Sequence, residues 1–116
     1  MNRNSTPYSQ LKVFRHKDLL GRLENSERCN PLYIRIKPTN VCNHNCYYCH
    51  YKNPYLALDE YNMNDMIPRE KMLEIVEDMR EMGVKAVTFS GGGEPLVYPY
   101  IEETMEEILS AGIDLS

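Results

Sequence analysis

Apolar residues change their spacing along this chain, and each change marks an element. Leu11, Phe14, Leu19, Leu20 and Leu23 recur at loosely helical intervals between residues 8 and 25, broken near His16-Lys17-Asp18. An amphipathic helix covering one end of the core is expected there, with Asp18 capping a turn that begins at Leu19. Leu32, Ile34 and Ile36 then alternate with Tyr33, Arg35 and Lys37 between Pro31 and Pro38, the period of a first strand. Residues 50–66 are polar and rich in tyrosine without a period, which reads as an extended loop with one helical turn at most. Pro68 suits a first helical turn and Glu70 its positive end, while Met72, Ile75, Val76 and Met79 share one face up to Gly83. Each such side chain contributes roughly 2 kcal/mol when fully buried, so the stripe is accounted for by a core. Residues 84–89 read as a second strand, parallel to the first and joined to it by a right-handed crossover. Pro99 opens another helix with Ile101, Met105, Ile108 and Leu109 on its inner face, Glu102 and Glu103 near its start and Gly112 after it. Residues 113–116 begin a third strand.

This order predicts an α/β fold with a parallel sheet: βαβα plus the start of a third strand, preceded by a helical lead-in. The division expected is 1–30 for the lead-in, partly helical and frayed over its first seven residues, and 31–116 for the α/β domain. A parallel sheet left open within its third strand implies further strands, so the domain reads as the first portion of a larger one.

A length of 116 residues suffices for one modest core but not for a closed barrel. Apolar content of 42% with 26% charged residues argues against disorder, and no apolar run approaches the length of a membrane span. The first residues lead into no apolar signal segment, and a formal charge of −4 provides no basic footprint for nucleic acid. No nucleic-acid partner and no membrane association are expected. Three of the four cysteines fall within eight positions, the pattern of metal-binding thiols in a reducing compartment, so the expected location is cytoplasmic.

Those three are Cys42, Cys46 and Cys49, spaced C-x3-C-x2-C immediately after the first strand. A cubane iron-sulfur cluster ordinarily takes four thiolates, so a three-cysteine loop leaves one iron open to bind and activate another molecule. The loop leaves the strand at its C-terminal end, where parallel α/β folds build their sites. At the corresponding end of the second strand stands Ser90-Gly91-Gly92-Gly93-Glu94-Pro95. Consecutive glycines admit unusual backbone conformations and close approach of a ligand to the main chain. The lysine and hydroxyl of a phosphate loop are missing and Glu94 would repel phosphate, so a carboxylate beside open backbone points to an ammonium group.

The cysteine spacing, with Tyr48 directly before the last cysteine, resembles the cluster motif of radical S-adenosylmethionine (radical SAM) enzymes. Gly92-Gly93-Glu94-Pro95 resembles the element after that family's second strand, although Gly91 stands where many members carry serine or threonine. Two motifs in this order, each after a predicted strand, are far more specific than either alone. The resemblance covers about residues 32–116 and implies the N-terminal part of a partial (βα)6 barrel. It implies that Cys42, Cys46 and Cys49 ligate a [4Fe-4S] cluster whose fourth iron takes the amine and carboxylate of S-adenosyl-L-methionine. It places Tyr48 beside the adenine and Gly92, Gly93 and Glu94 around the ammonium, with no catalytic side chain beyond the cluster ligands. The implied activity is reductive cleavage of S-adenosylmethionine to a 5'-deoxyadenosyl radical that abstracts hydrogen from a substrate the sequence does not specify. An oxygen-sensitive cluster and a one-electron donor such as flavodoxin or ferredoxin follow, and the 116-residue chain alone is expected to be inactive.

Tyr47, Tyr48, His50 and Tyr51 are candidates for a shell limiting water around the cluster. Two alternatives use the same cysteines. With His44 or His50 they could form a closed structural zinc site, although zinc sites usually come as two separated ligand pairs. With Cys29 as a fourth thiolate they could hold a closed electron-transfer cluster, but Cys29 precedes the first strand and is placed at its opposite end.

Overall fold

Side-chain alternation over residues 33–36 produces β1, Tyr33–Ile36, with Tyr33 and Arg35 exposed and Ile36 buried. The computed structural model describes residues 14–53 and 61–116. It divides the chain into two compact units, Met1–Asn30 and Pro31–Ser116.

In the first unit, α1 spans Lys17–Glu24 and buries no residue. It begins two residues before the expected start, and Asp18 lies inside its first turn. His16 occupies the capping position, and no side chain bonds to the free N–H groups there. Asp18 is therefore not a cap; its carboxylate complements the positive end of the helix instead. The expected stretch from Tyr8 to Val13, with Leu11, lies outside the described residues.

The second unit is α/β. Its strands β1, β2 (Ala86–Phe89) and β3 (Asp114–Leu115) form one parallel sheet in the order β1-β2-β3. Ile34 pairs with Val87, Ile36 with Phe89, and Val87 with Leu115. Between β1 and β2 runs α2, Arg69–Met82, and between β2 and β3 runs α3, Ile101–Ser110. Pro68 sits at the start of α2, where the absent N–H costs nothing. Gly83 ends α2 with φ +73°, and Gly112 follows α3 with φ +75°, the left-handed region that favours glycine.

The sheet and both helices share one core. Met72, Val76 and Met79 of α2 meet Ile101 and Ile108 of α3, together with Ile36, Val84, Val87, Tyr98 and Ile113. Arg69 and Glu103 join the first turns of the two helices through a two-pronged ion pair, with Nε to Oε2 at 2.7 Å. That contact holds the Glu103 carboxyl below its ordinary range. The inner face of α3 differs from expectation: Leu109 is 57% exposed, whereas Thr104 is buried. Thr104 can be accommodated because its hydroxyl donates to the Tyr100 carbonyl at 2.7 Å, leaving only its methyl to the core. Periodicity alone also overlooks Tyr98, which is 1% exposed and donates its hydroxyl to the Ile67 carbonyl at 2.8 Å.

No described helix is long and apolar enough to cross a membrane. On urea unfolding, Met79→Ala should cost about 2–5 kcal/mol through cavity formation. Leu109→Ala should change stability by less than about 0.5 kcal/mol, the range of an exposed position.

Candidate functional site

Beyond the last residues of β1 and β2 the two chains remain bonded to each other. Ser90 N–H donates to the Ile36 carbonyl at 2.8 Å, Gly93 N–H to Thr39 at 3.2 Å and Glu94 N–H to Val41 at 2.9 Å. The sheet pairing thus runs on into the segment that enters the cysteine loop on one side and into the glycine turn on the other. A second strap lies across the first segment: Thr39 and Met66 form an antiparallel bridge. Ile67 N–H donates to Pro38 at 2.9 Å and Asn40 N–H to Asp65 at 2.8 Å. Buried Thr39 accepts from Val41 N–H at 3.0 Å, and the Asn40 amide donates to the Asn62 carbonyl at 2.8 Å.

The glycines serve this contact. A Cβ on Gly93 would stand 2.2 Å from the Val41 carbonyl oxygen, and one on Gly92 would stand 2.7 Å from the Tyr61 hydroxyl and 2.9 Å from Asn40 Oδ1. Gly91 has its own turn in the way, with the Gly93 carbonyl oxygen at 2.6 Å. None of the three has a positive φ. Sterics explain these positions: Gly92 and Gly93 are glycine because the cysteine segment and Tyr61 press against them, and Gly91 because its own turn does.

The cysteine loop is more open. Cys42 and Cys49 are partly exposed and Cys46 is exposed, all as free thiols. Cys49 N–H donates to the Cys46 carbonyl at 3.1 Å, and His44 N–H approaches Cys42 Sγ at 3.4 Å. Lys52 Nζ closes the loop from behind onto the His44 carbonyl. Residues 45–49, with Lys52 and Asn53, line an open hollow of about 480 Å³. Three free thiols on one loop, two of them, Cys46 and Cys49, lining this open space, suit an iron-sulfur cluster in donor chemistry. Among the described residues, no three His, Cys, Asp or Glu side chains converge as a single metal ion requires.

Of the residues expected to shield the loop, Tyr47 is 98% and Tyr48 75% exposed, the two rings meeting edge to face at 5.1 Å. His50 is exposed as well, within a single 3-10 turn, His50–Lys52. Tyr51 alone is partly covered, stacked on Tyr61 at 4.9 Å, and its hydroxyl accepts from Lys37 Nζ at 2.6 Å. Sequence reasoning did not single out Tyr61, because no period or motif marks it. Burial raises its phenol pKa, with further upward pushes from Cys49, Tyr51 and Cys42, so it lies within electrostatic reach of two of the thiols.

Glu94 begins a second 3-10 turn, Pro95–Val97, and accepts from Leu96 N–H through Oε1 at 3.1 Å. Its other oxygen, Oε2, faces His44 Nε2 at 3.6 Å. One carboxylate oxygen is thereby committed to the main chain and the other is turned toward the cysteine loop. Cys29 belongs to the first unit, where its thiol approaches the Glu27 carbonyl at 3.6 Å.

A parallel sheet whose adjacent strand ends carry a three-cysteine loop and a Gly-Gly-Glu-Pro turn defines a class of enzyme, and comparison with known proteins agrees. Residues 36–116 match the family model of the radical SAM superfamily, and the chain belongs to that superfamily. Its members are enzymes that use a [4Fe-4S] cluster and S-adenosylmethionine and require a reductant and a substrate. Over 76 residues the chain is 32% identical to the GTP 3',8-cyclase of Helicobacter pylori, covering 66% of this chain and 22% of that protein. Over 79 residues it is 39% identical to the probable GTP 3',8-cyclase of Methanothermobacter marburgensis, covering 68% of this chain and 24% of that protein. The chain therefore spans about a quarter of the length of these curated relatives. No solved structure matches it.

Gly93→Ala should push the two segments apart, destabilise the protein by about 1–3 kcal/mol as overpacking does, and lower iron uptake on reconstitution. Gly21→Ala, in α1 with nothing within 4 Å of the added methyl, should be neutral or stabilising by up to about 1 kcal/mol. Thermal unfolding together with iron analysis separates the two outcomes.

Proposed function

We propose that this chain is the cofactor-binding portion of a radical SAM enzyme, formed by residues 31–116 after a lead-in of residues 1–30 and continued into a partial (βα)6 barrel. The observation that carries this reading is the backbone pairing of Thr39 and Val41 with Gly93 and Glu94, which sets three free thiols and one half-committed carboxylate at neighbouring strand ends. Cys42, Cys46 and Cys49 would hold a [4Fe-4S] cluster, and three protein ligands would leave it able to bind S-adenosylmethionine. Gly92, Gly93 and Glu94 form the ammonium side of the pocket, and Tyr48 lies along the adenine. When bound and reduced, the cluster supplies the electron that cleaves S-adenosylmethionine to methionine and a 5'-deoxyadenosyl radical, which takes hydrogen from the substrate. The chain's own residues orient and hold: Glu94 Oε2 offers an unspent acceptor for the ammonium, and Tyr51 and Tyr61 keep water from one side of the loop. On this reading the electron donor is a flavodoxin or ferredoxin, and cysteines clustered for metal binding support a cytoplasmic location.

The similarity to GTP 3',8-cyclases makes a guanine nucleotide the first substrate class to examine. The matched region carries the cofactor motifs, so cofactor cleavage is the part of the chemistry that transfers most directly.

Anaerobic reconstitution of the full-length protein with iron and sulfide should yield an oxygen-sensitive brown chromophore. Cys42→Ala, Cys46→Ala and Cys49→Ala should each abolish it, and Cys29→Ala should retain it. With a strong reductant the clustered protein should release 5'-deoxyadenosine from S-adenosylmethionine, faster with GTP present if a guanine nucleotide is the substrate. A fully clustered protein that yields neither 5'-deoxyadenosine nor methionine would refute the enzyme reading.

A further inference from the structure

The main-chain bonds of Gly93 and Glu94 fix the entrance of the cysteine loop, at Thr39 and Val41. Its exit is held by side chains. Just after Cys49, the Tyr51 hydroxyl accepts from Nζ of Lys37, the residue that follows β1, at 2.6 Å. The Tyr51 ring stacks on Tyr61, with centroids 4.9 Å apart and planes inclined by 27°. Tyr61 in turn donates its hydroxyl to the Asn40 carbonyl, in the entrance, at 3.4 Å. The same ring lies against the glycine turn, since a Cβ on Gly92 would stand 2.7 Å from its hydroxyl and 2.8 Å from Cε2. One side chain thus meets the entrance of the cysteine loop, its exit and the turn that follows β2.

We infer that Tyr61 is a positioning residue for S-adenosylmethionine: its ring is the spacer that holds the exit of the cysteine loop at a fixed separation from the glycine turn. This rests on the radical SAM reading, in which the cluster ligands and the ammonium side of the pocket lie on those two segments, and adds to it a residue outside both motifs. A ligand that bridges two segments binds best when their separation is set beforehand, because ordering a loop on binding subtracts from affinity. A tyrosine suits that task, being wide and flat and having few rotatable bonds to freeze. Gly92 supplies the other half of the fit, since the absence of a Cβ lets the ring lie directly on the turn. At 3.4 Å the hydroxyl contact with Asn40 is long, so the packing of the ring carries the role and the hydroxyl adds little.

The test uses the full-length protein with its cluster and measures S-adenosylmethionine affinity by anaerobic equilibrium dialysis, with iron content determined on the same samples. Tyr61→Ala should weaken binding by about two- to tenfold at unchanged iron content. Should that variant fail to fold, Tyr61→Leu, which fills the space without a flat face, carries the same expectation. Tyr61→Phe keeps the ring and should bind as the unsubstituted protein does. Tyr51→Ala should weaken binding too, and should add little in a Tyr61→Ala background, because the two stacked rings act as one spacer. Met79→Ala, weakened in the core away from the site, should keep its affinity, which separates spacing from a general loss of stability. Equal affinity for Tyr61→Ala and the unsubstituted protein, additive losses in the double variant, or an equal loss in Met79→Ala would overturn the inference while leaving the cofactor reading intact. A loss in Tyr61→Phe as large as that in Tyr61→Ala would overturn it by assigning the role to the hydroxyl. Loss of iron from Tyr61→Ala would do so by assigning Tyr61 to the folding of the cysteine loop. Failure of the unsubstituted, fully clustered protein to bind S-adenosylmethionine would instead remove the cofactor reading and this inference with it.

Discussion

The contact on which this structure turns is made between main chains with no side chain intervening. Gly93 and Glu94 donate to the carbonyls of Thr39 and Val41, and the space a Cβ of Gly93 would need is filled by Val41 and Asn40. Strand pairing normally ends when the strands diverge, but here it is carried forward into two loops that would otherwise be free to separate. The strap of residues 62–67 closes the other flank through Pro38, Thr39 and Asn40. A buried threonine and an asparagine amide satisfy the polar groups that such close approach would strand. The entrance to the cysteine loop is consequently as well determined as the sheet.

The loop itself follows a different logic. Cys46, Tyr47 and Tyr48 project outward, and the local backbone is held by few bonds, chiefly Cys49 to Cys46 and Lys52 to His44. A rigid base carrying an open loop suits a site in which thiolates close around an inorganic core larger than a single ion. It also shows why tyrosines in the loop do not by themselves exclude water. Among the described tyrosines beside the loop, Tyr51 and Tyr61 are the partly covered ones, stacked on each other at its base.

Much of this was legible from residue order. Alternation at Leu32, Ile34 and Ile36, and the stripe of Met72, Val76 and Met79 ended by Gly83, determined a strand and a helix because burial on one face requires those periods. The cysteine spacing and the Gly-Gly-Glu-Pro run were visible as chemistry and led to the superfamily that residues 36–116 match. Local pattern could not decide between Thr104 and Leu109, since both are compatible with a helix whose inner face is set by its neighbours. Nor could it explain the glycines: a run of three suggests unusual torsion, and only the tertiary structure reveals Gly92 and Gly93, neither with a positive φ, under steric pressure from Asn40, Val41 and Tyr61, more than thirty positions earlier. The same holds for Tyr61, Tyr98 and the His44–Glu94 approach. Each is a contact between segments far apart in the chain, and sequence periodicity records which face a residue turns inward but not which partner it meets there.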